Sequence, residues 1–376
     1  MLKGTDILIT GGYGTVGRRV AADLAPDYPD RVVVAGRSTE KAARLAAELG
    51  HGVRGRRVDV GEPDSVEAAL DGVGVVMSCI DQPEPHLLRS AIGRGLAYTD
   101  IAPHLMTRRP TEAMKAEAAQ RGARIVLGSG LAPGISSLLA RLADRLGAVE
   151  GVEVGVFLSV GDIYGPASRT YLMEEIALPY AVYIEGREMP TRPFGGYARV
   201  KFPPPLGKRM AYLFPFSDQV FFPKTLGAHT ALSRLALEPA WLGALLAVLA
   251  RLRVTTMLGR RGGAEERVRR LNAWLRRRYE GRDWYGVAVE VEGARGRVRA
   301  SLVGRGQALG TATGAAAVVR ALAEEEVRQP GIRLAEEVVA PESFFAHLAA
   351  RPCAGDRGNA RRFAHRSEGG PTPLRE

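Results

Sequence analysis

The residues with the clearest chemical meaning stand first in the chain. GGYGTVG (Gly11–Gly17) follows a short apolar run and opens a helical one, and it holds G-x-G-x-x-G at Gly12, Gly14 and Gly17. In that spacing the first glycine permits a tight turn. The second lets the backbone approach a pyrophosphate, and the third lets the helix pack on the strand. The phosphates would rest on the free amides at the helix N-terminus. The second apolar run ends in VVVAGRS (Val32–Ser38). A site for NAD places an acid here, about 20 positions past the glycines, to hold the ribose 2′-hydroxyl. This chain has Gly36, Arg37 and Ser38 instead. A guanidinium pairs bidentately with a 2′-phosphate and a serine hydroxyl adds a bond, so NADP(H) is the expected cofactor.

Other chemistry-bearing residues are sparser. AYTDIAPHL (Ala97–Leu105) sets Tyr98, Asp100 and His104 at the end of a strand, where open α/β sheets bind ligands. Cys79 follows the fourth apolar run and reads as a buried structural thiol rather than a nucleophile. The six histidines are scattered and no HExxH occurs, so no metal site is expected. Tyr197 and Lys201 have the Tyr-x-x-x-Lys spacing of short-chain dehydrogenases. They lie in GGYARVKFPPP, whose prolines exclude a helix, and outside the strand–helix region, so the pair is set aside.

These groups need a scaffold, and the first 130 residues supply its pattern. Strand-like runs at Asp6–Thr10, Arg31–Ala35, Arg56–Val60, Val73–Ser78, Ala97–Ile101 and Ala123–Leu127 alternate with helical patterns at Gly14–Leu24, Glu40–Leu49, Asp64–Leu70, His86–Arg94 and Thr111–Arg121. Short Val/Ile-rich runs, each followed by a helix, predict parallel strands buried on both faces and right-handed crossovers. The pattern then changes. VEVGVFLSV (Val152–Val160) alternates with period two, and Trp284–Gly304 reads as a hairpin around Gly-Ala-Arg-Gly. The expected fold is α/β: a doubly wound parallel-sheet Rossmann domain over residues 1–130 plus an α+β substrate domain with an antiparallel sheet over 131–309. Thr311–Val327 is predicted helical, and PESFFAHLAAR (Pro341–Arg351) a short amphipathic helix whose Phe344 and Phe345 dock on a domain surface. Pro352–Glu376 lacks periodicity and is predicted to be a disordered tail.

Composition bounds the rest. The chain has 376 residues, 46% apolar and 25% charged, which excludes collagen-like, coiled-coil and wholly disordered classes. Two cysteines cannot form a disulfide framework, which predicts a reducing, cytoplasmic setting. The opening residues run straight into a strand, so no signal peptide is expected. The longest apolar run, Ala240–Leu252, is too short to span a bilayer. The net charge of +11 would fit nucleic acid, but only 6 of 52 basic residues are lysine, and the excess is local. Arg251–Arg282 holds eleven arginines against three glutamates, a solvated helix face in the simpler reading. No nucleic-acid partner is expected. Trp241–Arg261 offers a rival role as a peripheral lipid contact.

Together, GGYGTVGR, AGRS, VDVGEPDSVEAALDGVGVVMSCI, AYTD and RIVLGSGLAPGISSLLA (Arg124–Ala140) resemble the saccharopine dehydrogenase-like oxidoreductases, as do LGTATGAAAVVRALAEE (Leu309–Glu325) and PESFFAHLAAR. The resemblance covers most of Met1–Arg351 and thins between Arg169 and Arg282. It implies hydride transfer with NADP(H) to or from a C=N carbon, or in some relatives reduction of C=C bonds in lipid or polyketide chains. It also implies that residues 310–351 complete the Rossmann domain, and it implies a homodimer, a small-molecule substrate and a cofactor site made of Gly11, Gly12, Tyr13, Gly14, Thr15, Val16, Gly17, Arg37, Ser38, Asp59, Val60, Ser78, Cys79, Ile80 and Gly130. By the family's pattern Gly130–Ser136 approaches the nicotinamide, with Pro133 and Gly134 fixing the turn and Ser136 capping the next helix. The active site is then expected where Ser78–Asp81, Tyr98–His104 and Gly130–Ser136 face a loop at Gly161–Ser168. Tyr98 and Tyr164 are the expected proton donors, and Asp100 an orienting or amine-holding group. Arg169, Arg192 and Arg199 lack a recognisable dicarboxylate-binding spacing. Tyr164, Tyr171, Tyr180, Tyr183, Tyr212, Phe214, Phe216, Phe221 and Phe222 point to a larger, more apolar substrate than saccharopine, or else to a domain core.

Overall fold

The computed structural model describes residues 4–82, 84–101, 110–142, 146–162, 175–176, 178–252, 270, 273–275, 277–350 and, as backbone, 362–368. They form two units, one of Met1–Gly134 with Ala308–Arg351, the other of Ile135–Gln307 with Pro352–Glu376.

The first unit is built on β1 (Asp6–Thr10), β2 (Val32–Gly36), β3 (Arg54–Arg57), β4 (Val73–Ser78), β5 (Ala97–Asp100), β6 (Arg124–Leu127) and, from the end of the chain, β15 (Gly331–Leu334). All pair in parallel in the order β15-β6-β5-β4-β1-β2-β3. The order reverses between β1 and β4, the position at which open α/β sheets leave a crevice for ligands. Helices α1 (Gly17–Leu24), α2 (Thr39–Leu49), α3 (Pro63–Ala69), α4 (His86–Arg94) and α5 (Glu112–Arg121) connect the strands. Their ends follow local chemistry. Ser38 and Thr111 accept the N–H of Lys41 and Met114 as N-caps, and Gly95 and Gly122 stop α4 and α5 in left-handed conformation.

β1, β2 and β4 are wholly buried, as continuous apolar runs require. The third strand departs from expectation. It runs Arg54–Arg57 rather than Arg56–Val60 and is largely exposed. It is the sheet edge, and Arg54 and Arg56 pair with Asp6 of β1 at 2.6 and 3.5 Å. Charge on an edge strand discourages pairing with another chain.

The chain returns to this unit through α9 (Gln307–Ala323), β15, α10 (Ala335–Val338) and α11 (Pro341–Ala350). α9 is buried almost all round, and its alanines, glycines and threonines permit that. Phe344 and Phe345 are buried, their rings edge to face at 5.1 Å. Arg320 of α9 reaches Asp23 (3.1 Å) and Asp27 (2.6 Å) at the end of α1, and His347 of α11 (2.7 Å). Tyr28 donates to Glu324 at 2.8 Å.

The second unit is one nine-stranded sheet. β7 (Val149–Ser159), β8 (Tyr180–Ile184), β9 (Arg187–Thr191), β10 (Tyr197–Lys201), β11 (Lys208–Leu213), β12 (Thr230–Glu238), β13 (Trp284–Gly293), β14 (Gly296–Arg305) and β16 (Arg362–Glu368) lie mainly in the order β10-β11-β12-β7-β13-β14-β16, with β8 on β12 and β9 on β8. α6 (Ile135–Arg141), α7 (Asp218–Thr225) and α8 (Ala240–Arg251) accompany it. The sheet is antiparallel except that β12 pairs with β7 in parallel, a result of the long connection between them. The 284–304 hairpin turns at Gly293–Gly296, at the Gly-Ala-Arg-Gly of the sequence. Pro352–Glu376, read as a disordered tail, includes a strand: Arg362–Glu368 pairs antiparallel with β14. An open sheet edge recruits backbone regardless of side-chain periodicity, so the sequence pattern did not announce it.

Arg320 carries the contacts of the returning helix with little solvent access. Removing it takes several charge-assisted hydrogen bonds away from α9. Arg320→Ala is expected to lower unfolding stability by about 1–3 kcal/mol in urea titration, while Arg328→Ala, on the exposed loop after α9, should lower it by less than about 0.5 kcal/mol.

Candidate functional site

The glycine turn is shaped by backbone proximity. Gly14 donates its N–H to the Gly11 carbonyl at 2.8 Å, and Gly12 donates to Ala35 of β2 at 3.0 Å. A Cβ on Gly12 would stand 2.8 Å from the Ile9 carbonyl oxygen. One on Gly17 would stand 2.3 Å from the Gly11 oxygen. Gly11 has φ +68°, and a Cβ there would meet Ile80 just past β4 at 2.5 Å. The turn is thus pressed into the place where β1 and β4 part, with α1 aimed at it. α1 begins at Gly17 rather than Gly14, because Gly11–Val16 are spent on the turn. This is a cradle for an anionic group on an N-terminal helix turn.

At the end of β2 the Tyr13 ring lies over Gly36, so that a Cβ on Gly36 would fall 2.6 Å from it. The Tyr13 hydroxyl accepts the Ser38 N–H at 3.0 Å. A side chain at position 36 would displace the Tyr13 ring, so Gly36 gives that ring its place beside Arg37 and Ser38. Sequence reasoning placed Tyr13 in the turn but missed this role. Arg37 is exposed and forms no hydrogen bond or ion pair among the described residues. Ser38 accepts from Lys41 as the α2 cap, which leaves its hydroxyl proton to donate. The residues fit a 2′-phosphorylated dinucleotide.

After β3, Asp59 turns its carboxylate onto the Gly61 N–H at 3.1 Å, and Val60 is half-buried beside it. At the end of β4, Ser78 is fully buried and accepts from Gln82 (3.3 Å) and Thr10 (3.4 Å) while donating to the Ile80 carbonyl (3.3 Å). Gln82 was missed in the sequence, since nothing in its spacing distinguishes it. The Cys79 thiol is pushed up to about 12, by burial and then by Asp100, and is not a thiolate near neutrality.

Tyr98 and Asp100 of β5 are both fully buried. Tyr98 donates to Asp100 at 3.5 Å, and burial with the Asp100 charge holds the phenol well above its ordinary value. In this arrangement Tyr98 faces the domain interior and does not meet solvent, which weakens its expected role as a proton donor. Asp100 is pushed up to about 7, chiefly by burial. Its carboxylate accepts from Gly128 at 3.4 Å, and its carbonyl accepts from the Ser129 N–H (2.9 Å) and hydroxyl (2.6 Å). Asp100 therefore pins the turn that precedes Gly130. That turn is closed by a Gly130–Gly134 bridge, and a Cβ on Gly134 would stand 2.2 Å from the Gly130 oxygen.

Ser136 departs from expectation. It lies inside α6 rather than capping it, and donates to the buried Asp218 at 2.8 Å. The aromatics read as a substrate lining are in large part core. Tyr212, Phe214, Phe216 and Phe222 are buried, and Phe194 packs on Tyr212 and Phe214. Tyr164, Tyr171, His104 and most of Gly161–Ser168 lie outside the described residues. Among the described residues no three His, Cys, Asp or Glu side chains are grouped to hold a metal.

Residues 7–126 match the family model described as the saccharopine dehydrogenase NADP binding domain. No curated protein sequence matches the chain. Among solved structures, apo saccharopine dehydrogenase (L-Glu forming) from Saccharomyces cerevisiae is similar at 15% identity and a TM-score of 0.66, over 97% of this chain and 100% of that one. A 3-ketoacyl-(acyl-carrier-protein) reductase from Brucella melitensis aligns at 21% identity over 34% of this chain and 75% of its own, with a TM-score of 0.25. The first is a likeness of fold. Residues 7–126 are an NADP-binding domain of saccharopine dehydrogenase type, and the cofactor is NADP(H).

Asp100 binds its proton more tightly when folded than its ordinary 3.8, so its contribution to stability is present at low pH and lost as pH rises through about 7. Asp100→Asn should remove that loss. Urea titrations at pH 5 and pH 8 are expected to differ by about 2–4 kcal/mol less in the variant than in the native chain. Equal pH dependence in both would contradict it.

Proposed function

We propose that this protein is an NADP(H)-dependent oxidoreductase that moves a hydride to or from the carbon of a C=N bond in an amine–carbonyl adduct. The observation that carries the reading is the end of β2, where Gly36, Arg37 and Ser38 include no acid and Arg37 stands exposed without an ion-pair partner among the described residues. When bound, NADP(H) supplies or accepts the hydride. The turn Gly11–Gly17 holds the pyrophosphate through backbone amides. Arg37 and Ser38 take the 2′-phosphate, and Asp59 and Val60 flank the adenine. Ser78, Cys79, Ile80 and Gly130 border the nicotinamide side. Asp100, buried with Tyr98, is an orienting group: it holds the Gly128–Gly130 turn through its carboxylate and its carbonyl. Tyr98 sets the Asp100 carboxylate from behind. Tyr164 stays the candidate proton donor on the sequence reading. The working form is a cytoplasmic homodimer, a state that sedimentation measures directly.

A second reading has its own support. α8 exposes Trp241 (44%), Leu245 (43%), Val248 (55%) and Leu252 just beyond it (66%), which share one helix face. Trp241 donates to the Tyr279 hydroxyl at 3.4 Å, and Arg278 and Arg282 stack on the Tyr279 ring at 5.9 and 5.6 Å. An apolar stripe beside aromatic and cationic side chains fits the surface of an anionic bilayer. That favours an apolar substrate met at a lipid surface, including the C=C bond of a lipid or polyketide chain. The described residues contain no helix long and apolar enough to cross a membrane.

These measurements test the cofactor assignment and separate the two readings. NADPH should bind at least about tenfold tighter than NADH by fluorescence titration, since a bidentate phosphate contact contributes roughly 1.5–3 kcal/mol. Arg37→Asp should reverse the ranking, and equal affinities would sink the assignment of Arg37. The chain should also co-sediment with vesicles containing phosphatidylglycerol. Leu245→Ser with Val248→Ser should abolish that without changing NADPH affinity. NADPH oxidation by enoyl but not imine substrates would favour the second reading, and oxidation by neither would leave a nucleotide-binding protein.

A further inference from the structure

The second unit gathers a group of cations that the dinucleotide site does not use. The β10–β11 hairpin curls over the sheet. Val200 lies 2.5 Å from where a Cβ on Gly155 would be, and Leu206 and Phe202 lie 2.7 and 3.0 Å from one on Gly286. Phe202 and Leu206 pack there with Phe157, Ala236, Ala288 and Val303. Glycine at 155 and 286 is what lets the hairpin lie down. Where it lifts off, a cavity of about 420 Å³ opens, walled by Glu153–Gly155 of β7, Ala288–Glu290 of β13, Arg299 of β14, and Arg199, Val200, Lys201 and Lys208 of the hairpin.

The charges around this cavity do not balance. Glu290 is taken by Arg299 and by Arg297 at 2.8 Å, and Glu153 has Arg234 at 3.7 Å. The side chains of Arg199, Lys201 and Lys208 form no hydrogen bond or ion pair among the described residues. Lys201 and Lys208 are directly opposite in the β10–β11 ladder, a like-charge pair that destabilises an antiparallel sheet. Uncancelled cations and a lysine pair held face to face together describe a site made for an anion. Val200 and Ala288, on the Gly155 face of the sheet, give the same space an apolar wall.

We propose that this cavity is a binding site for a small organic polyanion, a carbon skeleton bearing two or more phosphate or carboxylate charges. Lys201, Lys208 and Arg199 would neutralise the charge, and the valine and alanine walls would meet the skeleton. Arg geometry suits planar or tetrahedral oxyanions alike, so the shared chemistry is the multiple negative charge. The proposal is independent of the oxidoreductase reading, since none of its residues belongs to the first unit.

The test uses the full chain saturated with NADPH, so that the glycine turn and Arg37 are already occupied, at constant ionic strength. Citrate and fructose 1,6-bisphosphate are titrated by calorimetry and thermal shift, with neutral fructose as control. At least one polyanion is expected to bind saturably, and the preferred probe separates a carboxylate from a phosphate ligand. Lys201→Gln with Lys208→Gln should weaken that binding at least tenfold, whereas Lys224→Gln, an exposed lysine elsewhere in the unit, should not. The same double variant should melt higher than the native chain when no polyanion is present, because the like-charge pair is gone; that readout also shows that the variant folds. No polyanion binding under these conditions would overturn the proposal. So would binding that the double variant leaves unchanged. Repeating the titration without NADPH keeps the two readings apart: a chain that binds citrate but not NADPH fails the first and not the second.

Discussion

The first unit depends on one close approach, that of α1 to the turn at the end of β1. A Cβ on Gly17 would overlap the Gly11 oxygen and one on Gly12 the Ile9 oxygen, so helix and strand meet backbone to backbone. That contact brings the helix N-terminus to the point where β1 and β4 diverge, and the strand order 3-2-1-4-5-6 makes the divergence a crevice. Once the helix is aimed there, its free amides define where an anion sits, and the end of β2 is within reach of the ribose. Tyr13 then acts twice. It belongs to the glycine turn, and its ring covers Gly36 at the end of β2 while its hydroxyl accepts the Ser38 N–H.

The strand ends behind that crevice are polar and dry. Ser78, Tyr98 and Asp100 have no solvent access, yet each is hydrogen-bonded, as buried polar groups must be. Asp100 spends its carbonyl and its carboxylate on the Gly128–Ser129 backbone, which makes the approach to Gly130 a property of β5 rather than of the loop's own composition. The desolvation that raises its proton affinity is the cost of that arrangement. On the far side, Arg320 draws α1, α9 and α11 together through Asp23, Asp27 and His347, so the end of the chain supplies both the seventh strand and the ion pairs that hold it.

The second unit solves a different problem. Its one sheet is long enough to curl, and Gly155 and Gly286 permit the β10–β11 hairpin to lie on it. The aromatic residues of this region mostly fill the resulting core. Two surfaces are left unneutralised: the apolar face of α8 and the cationic rim of the cavity beneath the hairpin.

The sequence alone determined what is local. Strand β1 and strand β4 were legible residue for residue because a wholly buried parallel strand is a continuous apolar run, and G-x-G-x-x-G was legible because only glycine meets its steric demands. The Gly-Ala-Arg-Gly turn was legible for the same reason. What depends on a partner distant in sequence was not. β3 began two residues early because its arginines answer Asp6 across the sheet, and β16 formed because β14 had an open edge. The parallel pairing of β7 with β12, the plug that Tyr13 makes over Gly36, and the diversion of Ser136 from cap to Asp218 are likewise long-range. So is the meeting of Arg199, Lys201 and Lys208 of the hairpin with Arg299 of β14, which happens only because a hairpin folds over a sheet. Periodicity and steric permission act within a few residues, so they are written in the chain. Charge partners, edges and cavities exist only once distant segments meet, so tertiary structure decides them.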